Sequence, residues 1–201
     1  MFITFEGIDG CGKTTQAEML VRRLQGSGIR ERRILWTREP GDWDGGAFIR
    51  EILLNGELAH PLSELFLFLL DRCEHVRRVI LPVLAEGGIV VCERYTDSTL
   101  AYQSWGRGIP AGKIEELFSW CDFPVPDRTF WLDLPVEIAY QRMSLRGTQD
   151  RFEAEGVPFL QRVRSGFASL AARAKGRIIP VDAEVEQTVL SEKIFSLLEV
   201  S

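Results

Sequence analysis

Short apolar runs alternate along the chain with longer stretches in which apolar residues return every three or four positions. The first run is Phe2-Ile3-Thr4-Phe5, and after a glycine-punctuated turn Ala17, Leu20, Val21 and Leu24 recur at helical spacing across 14–25. Gly26 and Gly28 mark the end of that helix. Four more runs, at 33–37, 88–92, 129–132 and 177–181, read as strands, and the periodicity predicts further helices over 62–86, 113–121, 136–145, 157–174 and 186–198. Strands alternating with helices in this way predict an α/β protein, a five-stranded parallel sheet with helices on both faces and ligands at the carboxyl ends of the strands.

A chain of 201 residues has room for one well-cored domain, and no repeat, low-complexity tract or linker divides it. A single domain over 1–201 is therefore expected. At 45% hydrophobic and 26% charged the composition is that of a globular protein. The net charge of −5 opposes a sequence-independent grip on a nucleic acid polymer, so any phosphate binding must come from local arginines. Cys11, Cys73, Cys92 and Cys121 are widely spaced, with no pairing at zinc-ligand spacing, which points to a reducing compartment. The chain opens on a strand rather than a basic-then-apolar leader, and its apolar runs fall far below the roughly 18 residues a bilayer requires. The expectation is a cytoplasmic protein with no membrane partner.

The segment Gly7-Ile8-Asp9-Gly10-Cys11-Gly12-Lys13-Thr14 follows the first strand and leads into the first helix. Its glycines let backbone N–H groups turn inward around phosphate oxygens, at the positive end of the helix that follows. Lys13, on an exposed loop, supplies a charge for the β- and γ-phosphates, and the Thr14 hydroxyl is placed to ligate Mg²⁺. This is a P-loop, and it calls for ATP. A guanine-reading Asn/Thr-Lys-x-Asp segment after a later strand is absent, while the later strand ends carry arginines.

Set beside Thr37-Arg-Glu-Pro-Gly41, Asp71-Arg-Cys-Glu-His-Val76, Glu93-Arg-Tyr95, Ala101-Tyr-Gln103 and Asp150-Arg-Phe-Glu153, the loop makes the chain resemble the thymidylate kinase family over residues 2 to about 183. The resemblance implies a P-loop nucleoside monophosphate kinase fold and the reaction of MgATP with dTMP to give ADP and dTDP. Two phosphorylated substrates crowd negative charge into one pocket, which needs fixed cations.

By this resemblance residues 7–15, ending in Thr15, bind ATP, and Asp9 inside the loop has a catalytic role toward the acceptor phosphate and the transferring group. Arg38 clamps the dTMP phosphate, with Glu39 near the metal or the sugar and Pro40 fixing the turn. Phe68 and Arg72, four apart and so on one helical face, stack on the base and donate to a pyrimidine carbonyl. His75, near that face, reads as structural. Tyr102 packs under the deoxyribose, and Ser98, Thr99 and Gln103 hydrogen-bond the base. Thr14 and Glu93 serve the metal, and Arg94 joins Asp9, Lys13 and Arg38 in catalysis. Arg142, Arg146 and Arg151 surround Gly147 in a lid over about 142–153, as in the bacterial-type branch, and Arg146 and Arg151 neutralise the transferring phosphoryl. The family is usually homodimeric, and the apolar helix faces after residue 62 offer a surface for that.

Two departures stand out. The family usually carries Asp where this chain has Glu93, and often Gly-Gly-Thr where it has Gly41-Asp42-Trp43. Glu-Arg at 93–94 also occurs in deoxynucleoside kinases, where the acid is a base toward a sugar hydroxyl. A deoxynucleoside kinase, and a non-enzymatic P-loop switch, are therefore the alternatives.

Overall fold

The computed structural model describes residues 1–27, 32–145 and 151–198. β1 (Phe2–Glu6) is buried at every position, as a central strand covered on both sides must be. Its one hydroxyl, on Thr4, is satisfied by Thr129 at 2.7 Å. β2 (Ile34–Arg38), β3 (Ile89–Glu93), β4 (Arg128–Asp133) and β5 (Ile178–Asp182) complete a five-stranded sheet of order β2-β3-β1-β4-β5, with every pair parallel. The chain leaves β1 toward one edge and later returns past it toward the other. The carboxyl end of β1 is thus the topological switch point, where open α/β sheets hold ligands.

Helices pack around this sheet: α1 (Lys13–Gly26), α2 (Gly46–Asn55), α3 (Pro61–His75), α4 (Leu81–Ala85), α5 (Thr96–Thr99), α6 (Ala111–Cys121), α7 (Val136–Ser144), α8 (Val157–Arg173) and α9 (Gln187–Leu197). The helix expected over 62–86 is a continuous helical run broken in register by a π-turn at Val76–Ile80. Pro82 explains the widening, since it has no N–H to give and its ring crowds the preceding turn.

Two helical segments depart from the pattern-based expectation. α2 follows the glycine-rich turn after β2 and shows no consistent buried face: Leu53 is buried while Phe48 is 71% exposed. α5 runs into a second π-turn at Leu100–Gly106 and starts Thr-Asp-Ser-Thr, residues that favour caps over helix interiors. It forms because Glu6 at the end of β1 accepts the N–H groups of Tyr95 and Ser98 at 2.8 and 3.2 Å, capping its first turn from outside. Tyr102, on the π-turn, is packed edge-on by Phe152, Phe159 and Phe167 with ring centroids 5.8–6.4 Å away. Among the described residues no helix is long and apolar enough to cross a membrane.

Candidate active site

The loop between β1 and α1 takes its shape from glycines no other residue could replace. A Cβ on Gly10, whose φ is 80°, would lie 2.7 Å from the Ala139 carbonyl oxygen, and one on Gly7, with φ 139°, would lie 2.8 Å from that of Leu132. Lys13 is not out in solvent as its place in a loop suggested. It is 7% exposed, and its Nζ donates to the Gly7 and Ile8 carbonyls at 3.0 and 2.9 Å, closing the loop on itself. Ile8 and Cys11 are buried beneath the loop. Burial raises the Cys11 thiol, with Lys13 opposing it, so this thiol is an inert packing group.

Across the pocket Arg94 sits at φ 62°, an uncommon conformation for a side-chain-bearing residue, held by its N–H to the Phe5 carbonyl at 2.9 Å. That backbone turn aims the guanidinium at the loop: Nη2 reaches Asp9 Oδ1 at 2.6 Å and the Tyr102 hydroxyl at 3.2 Å, and that hydroxyl donates to Asp9 Oδ2 at 3.1 Å. Burial alone would raise the Asp9 carboxyl. Arg94 and Lys13 beside it, with the hydrogen bonds from Arg94 and Tyr102, hold it well below the usual carboxylate range. Asp9 is thus a fixed anion, and Arg94 is already committed to it.

Thr14 and Glu93, brought together from the loop and from the end of β3, are joined by a 2.6 Å hydrogen bond from the threonine hydroxyl to Oε2. The other oxygen, Oε1, accepts the Trp36 indole N–H at 3.0 Å. A hydroxyl and a carboxylate at the phosphate loop form the hard-oxygen donor set that a phosphate-bound divalent cation such as Mg²⁺ takes. Glu93 thus touches Thr14 with one oxygen and Trp36 with the other.

β2 ends in Arg38, exposed at the edge of the same pocket, and the turn after it carries a cis Glu39–Pro40 peptide. Glu39 lines the same pocket as Thr14 and Glu93. It is buried between Arg72 Nε and His75 Nδ1 at 2.7 and 2.9 Å, and His75 also meets the Thr37 hydroxyl. The unusual Gly41-Asp42-Trp43 finds its account here: Asp71 on α3 accepts the Gly41 N–H at 3.1 Å and the Trp43 indole N–H at 2.7 Å, tying the turn to the helix. Arg50 on α2 was not foreseen. It lines the pocket beside Arg38 and donates to the Pro40 carbonyl at 2.8 Å. The only sequence signal was an arginine one helix beyond the clamp turn.

Phe68 and Arg72 both reach the pocket wall, but Arg72 is 1% exposed and donates to Glu39, the Thr99 hydroxyl and the Tyr95 carbonyl. It holds the site together before any base arrives. Ser98 donates to Glu6 and accepts from Arg94, and Gln103 donates to Glu64 at 2.9 Å, so of the residues expected to read the base, Ser98 and Thr99 have their hydroxyls engaged within the protein.

Arg151 is not brought to this pocket. It donates to Glu64 at 2.7 Å and to the Leu53 carbonyl at 3.3 Å and lines a neighbouring cleft. Arg142 instead approaches the phosphate loop, 3.4 Å from the Gly10 carbonyl. Arg146 lies outside the described residues.

A parallel sheet whose first strand feeds such a loop, facing arginines across a shared pocket, defines a P-loop nucleoside monophosphate kinase. Residues 5–194 match the profile of the family described as thymidylate kinase. Curated thymidylate kinases from Synechococcus sp. (strain JA-2-3B'a(2-13)) and Gloeobacter violaceus are 45% and 46% identical to this chain, covering 99% and 100% of it and 94% and 95% of their own lengths. A crystal structure of thymidylate kinase from Ehrlichia chaffeensis matches with a TM-score of 0.80 at 33% identity, over 99% of this chain and 98% of that one. The chain belongs to the thymidylate kinase family.

Proposed function

We propose that this chain, acting as one kinase domain, transfers the γ-phosphoryl group of ATP to dTMP, giving dTDP and ADP. The observation that carries the reading is the single pocket in which Lys13 and Thr14 face Arg38, Arg94, Phe68 and Tyr102. ATP phosphates take over the Lys13 ammonium from the Gly7 and Ile8 carbonyls and accept the loop's N–H groups. Arg38, with Arg50 beside it, holds the dTMP phosphate, while Phe68 lies against the base and Tyr102 closes the sugar edge. An oxygen of the dTMP phosphate attacks the γ-phosphorus, the bond to the β-phosphate oxygen breaks, and ADP leaves. The acceptor is already an anion, so no strong base is needed and positioning dominates. Asp9, kept ionised, orients the Arg94 side chain at the acceptor.

Thr14 and Glu93 are the residues to hold Mg²⁺, which when bound neutralises charge on the β- and γ-phosphates. Arg142 approaches the loop from α7. Arg151 can serve the transferring group only after it leaves Glu64, and Arg146 is assigned to the same task from the sequence.

A homodimer through α3 is supported by Leu62, Phe66 and Leu70, which expose 40%, 54% and 46% of their surface along one helical face. Four free cysteines support a cytoplasmic setting.

The test is ADP release with dTMP, thymidine, dUMP, dCMP or no acceptor, with Lys13→Ala as the blank. Release that depends on dTMP and is lost in the variant supports the reading. A preference for thymidine would favour a nucleoside kinase, and acceptor-independent release a switch.

A further inference from the structure

Glu6 closes β1 at the centre of the sheet and is fully buried, where a carboxylate persists only if its oxygens are hydrogen-bonded. Both are used. Oε1 accepts the N–H groups of Tyr95 and Ser98 at 2.8 and 3.2 Å, and Oε2 accepts the Ser98 hydroxyl. Among the described residues no cation bonds to it. Asp97 on α5 is held bidentately by Arg177 at 2.7 and 2.9 Å, and Arg72 is spent on Glu39, Thr99 and Tyr95.

The Ser98 hydroxyl that donates to Glu6 accepts Arg94 Nη1 at 3.2 Å, and Nη2 of the same guanidinium reaches Asp9. Arg94 thus donates both ways, through the Ser98 hydroxyl to Glu6 at the end of the strand and directly to Asp9 in the phosphate loop, three residues further on.

We propose that Glu6 is a positioning residue for the acceptor side of the pocket, fixing the Arg94 guanidinium against Asp9 through the Ser98 hydroxyl. This rests on the dTMP kinase reading. Glu6 touches no substrate, so its effect should appear in dTMP binding and spare ATP, which a general loss of folding would not do.

Steady-state kinetics on Glu6→Gln, Ser98→Ala and the double variant test it. Gln keeps an oxygen for the two N–H groups but turns an NH₂ toward Ser98, which then has no acceptor for its hydroxyl. Ala at 98 removes the relay and leaves the Glu6 contacts to the backbone. Each single change is expected to raise the KM for dTMP about tenfold, the worth of one hydrogen bond to a charged group, with the KM for ATP within about twofold. The double variant should be no worse than the worse single one, because both act through one contact. Equal increases for ATP and dTMP, additive losses, or an unchanged dTMP KM in Ser98→Ala would overturn the proposal. If Glu6→Gln fails to fold, Ser98→Ala decides alone by the same comparison of the two KM values. Failure of the functional reading is seen separately, in the parent protein, as turnover that ignores dTMP.

Discussion

Arg151 Nη2 lies 2.7 Å from Oε2 of Glu64, a side chain only 2% exposed on α3. Glu64 also receives Arg107 and Gln103, so the anchor is a crowded carboxylate that can release one donor without being stranded. Arg151 is thereby held in the cleft beside the pocket that Lys13 and Thr14 line.

Arg151→Ala should therefore lower kcat strongly, by ~10³ if this arginine meets transition-state charge, with little change in the KM for dTMP. Stability should hardly move, since Arg107 and Gln103 keep Glu64 satisfied. A variant with near-parent kcat would leave Arg151 as an anchor only and shift the phosphoryl cation to Arg142 or Arg146.

Glu93 bridges Thr14 and Trp36, and a shortened or neutral side chain cannot keep both contacts. Glu93→Gln should lose most activity. Glu93→Asp should keep substantial turnover at saturating Mg²⁺ but require about tenfold more of it, having given up the Trp36 contact. A titration of rate against Mg²⁺ reads both, and a Gln variant equal to the parent would remove the acid from the mechanism.

The buried position of Arg72 changes what its removal reports. Arg72→Ala leaves Glu39 buried beside only a histidine, a change of about 3–5 kcal/mol, so the melting temperature should fall by on the order of 10 °C as well as the dTMP requirement rising. Thermal unfolding with and without dTMP separates the two effects. Tyr102→Phe, by contrast, removes only the hydroxyl between Arg94 and Asp9, and should preserve the preference for dTMP over ribo-UMP if the ring sets the sugar edge.

Burial, then the nearby Asp97, pushes the Glu6 carboxyl up to about 7 from 4.5, while the Ser98 hydroxyl, Arg94 and the Tyr95 N–H oppose the rise. Arg177, Arg72 and the Cys92 thiol also feel this carboxylate. Between 4.5 and 7 the folded chain binds this proton and the unfolded chain does not, so the contribution of Glu6 to stability falls as pH rises through that window. Asp71, raised to about 6 mainly by burial, adds a slope of the same sign. The difference between parent and Glu6→Gln isolates the first: the parent should lose stability relative to the variant from pH 5 to 7. A constant difference across that range would contradict it.

Most of the frame was legible because its signals are local. The five strands are apolar runs, and the phosphate loop is one contiguous segment whose glycines answer to single contacts. α5 was not, because Thr96-Asp97-Ser98-Thr99 gains its helix from a carboxylate that arrives from β1. Arg50 and Trp36 escaped notice for the same reason: each acquires its role only when the sheet places it against Pro40 or Glu93. Arg72 was recognised for its type and spacing, yet its burial could not be read from a helix whose neighbours Phe66 and Leu70 are exposed.

The central claim is that phosphate passes from ATP to dTMP in this pocket, and following the label from γ-³²P-ATP tests it most directly. With dTMP present the label should appear in dTDP, one per ADP formed, and should appear in neither product when dTMP is withheld. Label found in inorganic phosphate regardless of dTMP, or in dTMP made from thymidine, would contradict the account.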